Sequence, residues 1–202
     1  LHYYIEASDD QAGDIKTSTI PGDLTGYGDA SHPLAYNTSW VVHCLPSIRS
    51  DGFGGYEQPG MLFWNDFGNR GAEAEWYGAL DNLGLIPGVH YDTYYTNGPS
   101  SGVGNGLGGR ATDDLMDYYT DLLYTCGDLG VNTIANGDFA NDASADIQLL
   151  SNYVAQNQVD MFLTGDDLVS DLAQAGVATL TFSEEYMGLS LSNNNIRPFI
   201  GN

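Results

Sequence analysis

Residues 159–176 read VDMFLTGDDLVSDLAQAG, and this stretch decides the fold. Val159 to Leu163 form a short apolar run of strand length. Leu168, Leu172 and Ala175 then recur at helical spacing. Asp166, Asp167 and Ser170 suit a helix N-terminus, where free N–H groups and the macrodipole favour acidic and capping side chains. The stretch therefore predicts a buried strand, a sharp turn and a helix. In open α/β sheets chemistry sits at such turns, outside the carboxyl ends of the strands. The question for function is what Thr164-Gly165-Asp166-Asp167 offers there.

Working outward, the same alternation runs back to residue 60. Strands are expected at Met61–Asn65, Val89–Thr96 and Asp121–Thr125. Helices are expected at Glu73–Leu83 (with Gly84 as a stop), Ala111–Tyr118 and Ala145–Gln156. Val177–Phe182 reads as a fifth strand, and Tyr186, Met187, Leu189 and Leu191 as an edge strand or turn. Strand–helix alternation predicts an α/β domain: a flavodoxin-like parallel sheet with helices on both faces. The first 48 residues differ. Leu1–Ala7 and Ser39–Ile48 read as strands, joined by a Gly-, Ser- and Asp-rich loop from Ser8 to Asn37. The expected organisation is a small N-terminal β segment (residues 1–48), a Gly-rich linker (49–59) and the α/β domain (60–202).

The chain has 202 residues with 27 acidic and 5 basic side chains, a net charge of -22. So negative a surface repels phosphate backbones and anionic lipid, which argues against nucleic-acid and membrane-surface roles. No apolar run is long enough to span a bilayer, so no membrane insertion is expected. The chain opens at Leu1 on what reads as a strand in progress, which suggests a piece of a longer polypeptide. Cys44 and Cys126 are too few for a disulfide framework. One bridge, or two buried free thiols, both fit.

HYYIEASDDQAGD followed by WVVHCLP resembles the last strands of immunoglobulin-like or fibronectin-like sandwiches in secreted bacterial multidomain proteins. Two strands bury no core alone. The resemblance implies an extracellular or cell-surface location. It also implies pairing of the N-terminal strands with upstream domains or other chains, a homo-oligomer included.

Residues 60–191 resemble the class I glutamine-amidotransferase-like superfamily, including its trehalose-utilisation-type branch. FLTGDDLVSDLAQAG matches the segment that reads strand–Cys–x–Gly–helix in catalytic members, and LLYTCGD matches the strand before it. In those relatives the elbow cysteine attacks and a histidine activates it. Here Thr164 stands at the elbow, flanked by acids, and no histidine follows Gly176. The resemblance thus implies a domain without its nucleophile. Cys126, next to Gly127 and Asp128, is the remaining weak candidate. It needs a cation, a histidine or a helix N-terminus to lower its pKa.

Four carboxylates, Asp66, Asp128, Asp166 and Asp167, lie just beyond predicted strand ends. Crowded like charges there call for compensation. Arg70 and Arg110 can supply structural ion pairs; a hard cation, Ca²⁺ or Mg²⁺, is the alternative. Asp138 and Asp142, in Asn136-Gly137-Asp138…Asn141-Asp142, form a second calcium candidate without EF-hand spacing. Gly104-x-Gly106-x-x-Gly109 matches a dinucleotide fingerprint, but in too long a loop. His2, His32, His43 and His90 are dispersed. Trp64, Trp76 and Tyr124 fit core positions rather than a sugar platform. The reading is a non-catalytic extracellular structural or binding module of a larger secreted or surface assembly, filament formation included, with no resident cofactor. A metal-dependent or cysteine hydrolase and a carbohydrate-binding domain are the alternatives.

Overall fold

The computed structural model describes residues 2–9, 16–20, 22, 24–25, 40–41, 44–66, 72–96, 106–130, 133–134, 144–156 and 158–192. The chain divides into two units, Leu1–Leu45 and Pro46–Asn202. In the first, β1 (His2–Tyr3), β2 (Ile5–Ser8), β3 (Thr17–Ile20) and β4 (Trp40–Val41) make two antiparallel ribbons. β1 pairs with β4, and β2 with β3 through Ile5↔Ile20 to Ser8↔Thr17. The Ser8 and Thr17 hydroxyls meet at 2.9 Å, and Asp9 and Lys16 exchange backbone and side-chain bonds that close the hairpin. β3 lies inside the stretch expected to be loop; its β-branched Thr17, Thr19 and Ile20 favour the extended chain. Conversely, residues 44–48 are not strand, so the expected strand over Ser39–Ile48 is described only at Trp40–Val41.

The second unit begins with a hairpin where a linker was expected. β5 (Arg49–Ser50) pairs with β6 (Tyr56–Glu57), and Arg49 and Glu57 form an ion pair at 2.8 Å. Asp51 Oδ1 accepts from the N–H of Phe53 (2.8 Å) and of Gly55 (2.9 Å), which winds the turn. Gly52 and Gly54 take positive φ within it, conformations that cost other residues. The glycines specify a turn rather than a tether.

Then follow β7 (Met61–Asn65), α1 (Glu73–Asn82), β8 (Tyr91–Tyr95), a 3-10 turn (Leu107–Gly109) and α2 (Asp113–Met116). β9 (Asp121–Thr125), α3 (Asp146–Gln156), β10 (Asp160–Thr164), α4 (Leu168–Ala175) and α5 (Val177–Glu185) complete the described chain. The four strands β7 to β10 form one parallel sheet in the order β10-β9-β7-β8. Counted from β7, that is 2-1-3-4 read from the other edge, the flavodoxin-like order. The near-continuous apolar run MLFWN of β7 is what a strand covered on both faces requires.

Register assigns the faces. Phe63, Leu123 and Phe162 stand side by side on one, Trp64, Tyr124 and Leu163 on the other. α1 covers the first: the Trp76 ring lies 6.0 Å from Phe63 and 6.4 Å from Phe162, and Leu80 is buried with Phe63 and Tyr91. α3 covers the second, burying Ile147, Leu150 and Tyr153, whose hydroxyl donates to the Tyr119 carbonyl at 3.0 Å. Gly84, at φ 75°, ends α1 as its sequence position implies.

Residues 177–182 are helix, not a fifth strand. Their β-branched content favours strand, but Thr179, Phe182 and Ser183 are the buried positions, spaced by three and four. The Thr179 and Ser183 hydroxyls donate to the carbonyls of Gly176 (2.9 Å) and Leu180 (2.8 Å), so burying them leaves no polar group unpaired. Tertiary packing overrides propensity here.

Candidate functional site

The strand order reverses direction between β7 and β9, and the crevice above their carboxyl ends is where flavodoxin-like sheets hold ligands. Asn65 and Asp66 reach it from β7, Thr125 and Cys126 from β9, and Thr164 and Gly165 from β10. The Asp66 N–H donates to the Thr125 carbonyl at 2.9 Å and ties the two strand ends together.

Cys126 is fully buried. Its N–H donates to the Thr164 carbonyl at 3.1 Å, and its thiol points to the same oxygen at 3.7 Å. A Cβ on Gly165 would lie 2.0 Å from Cys126 Sγ. The elbow glycine is therefore needed because the neighbouring strand's sulfur fills the space a side chain would take. Burial pushes the Cys126 thiol up to about 12, and the carboxylates of Asp66 and Asp171 push the same way. The Tyr124 hydroxyl donates to Asp66 Oδ2 at 2.9 Å and also meets the sulfur. A thiolate would form in a dry site beside a buried carboxylate, the opposite of the electropositive setting a nucleophilic cysteine needs.

One elbow N–H is committed: the Asp166 N–H donates to the Gly127 carbonyl at 2.8 Å. Thr164 is half-buried, and its carbonyl serves Cys126. His90 accepts from the Ile86 N–H at 2.9 Å through Nδ1 and belongs to the turn before β8. His32 and His43, and the side chain of His2, lie outside the described residues.

The four crevice-edge carboxylates separate by environment. Asp66 is buried, while Asp128, Asp166 and Asp167 are exposed. Among the described residues no group of three or more His, Cys, Asp or Glu side chains is arranged to hold a metal ion. Asp138, Asp142 and Arg70 lie outside the described residues. Arg110 is exposed and reaches the Tyr94 hydroxyl. That hydroxyl donates to the Gly106 carbonyl at 3.1 Å; burial pushes Tyr94 up to about 12, and the nearby Arg110 charge opposes the rise.

Sequence reasoning missed three other buried carboxylates. Asp92 accepts from Tyr119 Oη (2.8 Å) and the Ser47 N–H (2.9 Å). Asp171 accepts from the Thr133 N–H (2.9 Å) and hydroxyl (2.8 Å). Asp146 accepts from the Gly108 N–H, and Ser144 Oγ from the Gly106 N–H at 2.8 Å. Hydroxyl and amide donors serve each of these buried carboxylates. This also accounts for the glycine pattern over 104–109, of which Gly104 lies outside the described residues. A Cβ on Gly106 would meet the Asp146 carboxylate at 2.5 Å, and one on Gly108 the Ala145 carbonyl carbon at 2.5 Å. The loop packs against the start of α3 and aims its N–H groups at the protein's own side chains, not at a phosphate.

On the α1 side of the same sheet edge lies a polar cluster. Tyr77 and Tyr95 share a hydroxyl–hydroxyl bond at 2.5 Å, and Asn65 Nδ2 donates to Glu73 Oε1 at 3.4 Å. Asn65 Oδ1 is buried without a partner. Trp64 and Tyr124 are wholly buried in the core, as the sequence implies. No helix among the described residues is long and apolar enough to cross a membrane. In comparisons with known proteins no family model matches the chain, and no curated protein or solved structure does.

Proposed function

We propose that this chain is a non-catalytic structural or binding module of a larger secreted or cell-surface assembly, on an amidotransferase-like scaffold without its nucleophile. The observation that carries the reading is the sealed thiol: Cys126 is fully buried against Gly165, with its pKa driven away from thiolate. Exposed short strands β2 and β3 support strand addition to a neighbouring chain or domain. The test is labelling of the native protein with iodoacetamide at pH 7.5, read by peptide mass spectrometry. Exposed Cys44 takes the label and Cys126 takes it only after denaturation. Native labelling of Cys126 at the rate of Cys44 overturns the reading and restores cysteine chemistry.

A carbohydrate-binding reading is favoured by one observation. The Glu73 carboxylate and the Tyr77 and Tyr95 hydroxyls present polar groups beside aromatic rings, a set that suits sugar hydroxyls. A glycan-array screen of wild type against Tyr95→Ala tests it: a hit lost in the variant supports it, and no hit removes it.

A further inference from the structure

The two legs of the β5–β6 hairpin are held unequally. Residues 48–50, 52–54 and 56–57 are exposed, so the hairpin itself adds little to the core. Its outgoing leg is fixed by several contacts. Gln58 Nε2 donates to the Tyr118 carbonyl at 3.3 Å, and Pro59 is buried. The Gly60 carbonyl accepts from the N–H groups of Thr120 (2.7 Å) and Asp121 (3.1 Å). The incoming leg is held by one bond. The Ser47 N–H donates to Asp92 Oδ2 at 2.9 Å, and among the described residues no second hydrogen bond ties residues 44–48 to the sheet. The boundary between the chain's two units falls between Leu45 and Pro46, so this bond is the first hold the second unit has on its own chain.

Asp92 is a costly residue for its place. Register sets it in a row with Leu62 and Leu122, all three buried on the face that α3 covers. A leucine would pack there more cheaply than a carboxylate, which needs bonded partners once water is gone. What the carboxylate adds is an acceptor for groups outside the sheet. Its Oδ2 takes both the Ser47 N–H and the Tyr119 hydroxyl, the latter at 2.8 Å. The Tyr119 carbonyl in turn takes the Tyr153 hydroxyl of α3 at 3.0 Å. The incoming leg is thereby tied through β8 to residues 118–121, the turn that also holds the outgoing leg. We propose that Asp92 is a latch: it clamps the incoming leg, and its release lets the hairpin swing on residues 58–60 while the sheet stays folded. A segment held at one point and otherwise exposed opens locally before the whole fold does. In an assembly, tension arriving along residues 44–46 would meet Asp92 first. That use rests on the structural-module reading; the latch itself does not.

Amide exchange by NMR and limited trypsin digestion of the full chain test the latch, with cleavage followed after Arg49. In the wild type the Ser47 amide should exchange more slowly than a free peptide and faster than the Leu123 amide of the central strand β9. Asp92→Leu combined with Tyr119→Phe removes the acceptor and its second donor together, so the Ser47 N–H is the group left unpaired. Ser47 should then exchange roughly tenfold faster or more, and cleavage after Arg49 should quicken with it, while Leu123 does not change. Ser47→Pro removes the donor without touching the core and keeps the digestion test available should the double variant not fold; it too should quicken cleavage after Arg49. Three results overturn the latch: a Ser47 amide that exchanges at the free-peptide rate or no faster than Leu123 in the wild type, equal acceleration of Ser47 and Leu123 in the double variant, or unchanged cleavage after Arg49 in Ser47→Pro.

Discussion

Replacing Gly165 by alanine puts a methyl group 2.0 Å from Cys126 Sγ. Contact at that distance is impossible, so either the β10 elbow or the β9 end must move. Gly165 is not among the positive-φ glycines, so the cost is steric rather than conformational. Overpacking of this kind costs about 1–3 kcal/mol, occasionally more. Cys126→Ala alone removes the sulfur and its weak bond to the Thr164 carbonyl, at about 1–2 kcal/mol. The double variant places the new methyl in the space the sulfur leaves. It should therefore be more stable than the sum of the two losses by about 1–3 kcal/mol. For a domain of this size that coupling is about 3–10 °C in Tm. Urea denaturation of the four proteins at pH 7 measures it. Strict additivity would refute the claim that the sulfur is why the elbow carries glycine.

Further outcomes follow from the same packing. Gly108→Ala brings a Cβ against the Ala145 backbone at 2.5 Å and should cost about 2–3 kcal/mol, whereas a nucleotide-loop role predicts little stability loss; a thermal melt separates these. Asp171→Ala strands the buried Thr133 N–H and hydroxyl and should cost about 2–3 kcal/mol by urea titration, with Thr133→Val costing less. Stability should fall steeply in base. Tyr119, Tyr124 and Tyr153, all nearly fully buried, and Cys126 have pKa values raised by burial. The folded state thus keeps protons that the unfolded chain releases. The stabilisation is complete below about pH 9 and is lost as pH climbs toward the folded values, at about 1.4 kcal/mol per pH unit per group. Circular-dichroism melts between pH 7 and 11 check this, and a flat Tm to pH 11 contradicts it. Arg49→Ala, at the exposed pair with Glu57, should shift stability by less than about 1 kcal/mol in the same melts.

The sheet was legible because its signals are local. MLFWN and DLLYT are largely buried runs bounded by turn residues, and the structure places strands at Met61–Asn65 and Asp121–Thr125; the strand expected over Val159–Leu163 stands at Asp160–Thr164 and is half-exposed rather than buried. Residues 177–185 misled because Val, Thr and Phe carry strand propensity, while the spacing of Thr179, Phe182 and Ser183 carries the helix. Thr17–Ile20 was hidden by its polar surroundings, and Asp51 and the hairpin glycines look like linker until their bonds are seen. At the elbow, sequence showed that Thr164 is no thiol. It did not show that Cys126, from the adjacent strand, closes the same space, because that contact depends on β9 and β10 lying side by side in register. The buried carboxylates were illegible for the same reason: Asp92 and Asp171 find their donors 27 and 38 residues away.

The sealed thiol is tested most directly by following the ¹³Cβ resonance of Cys126 through a pH titration in a Cys44→Ser background. Between pH 6 and 9.5 the shift should not move, because the thiol stays protonated in the folded protein with a pKa pushed up to about 12. A midpoint below pH 8.5 with the fold intact would mean an accessible, activated thiolate, and the non-catalytic account would be wrong.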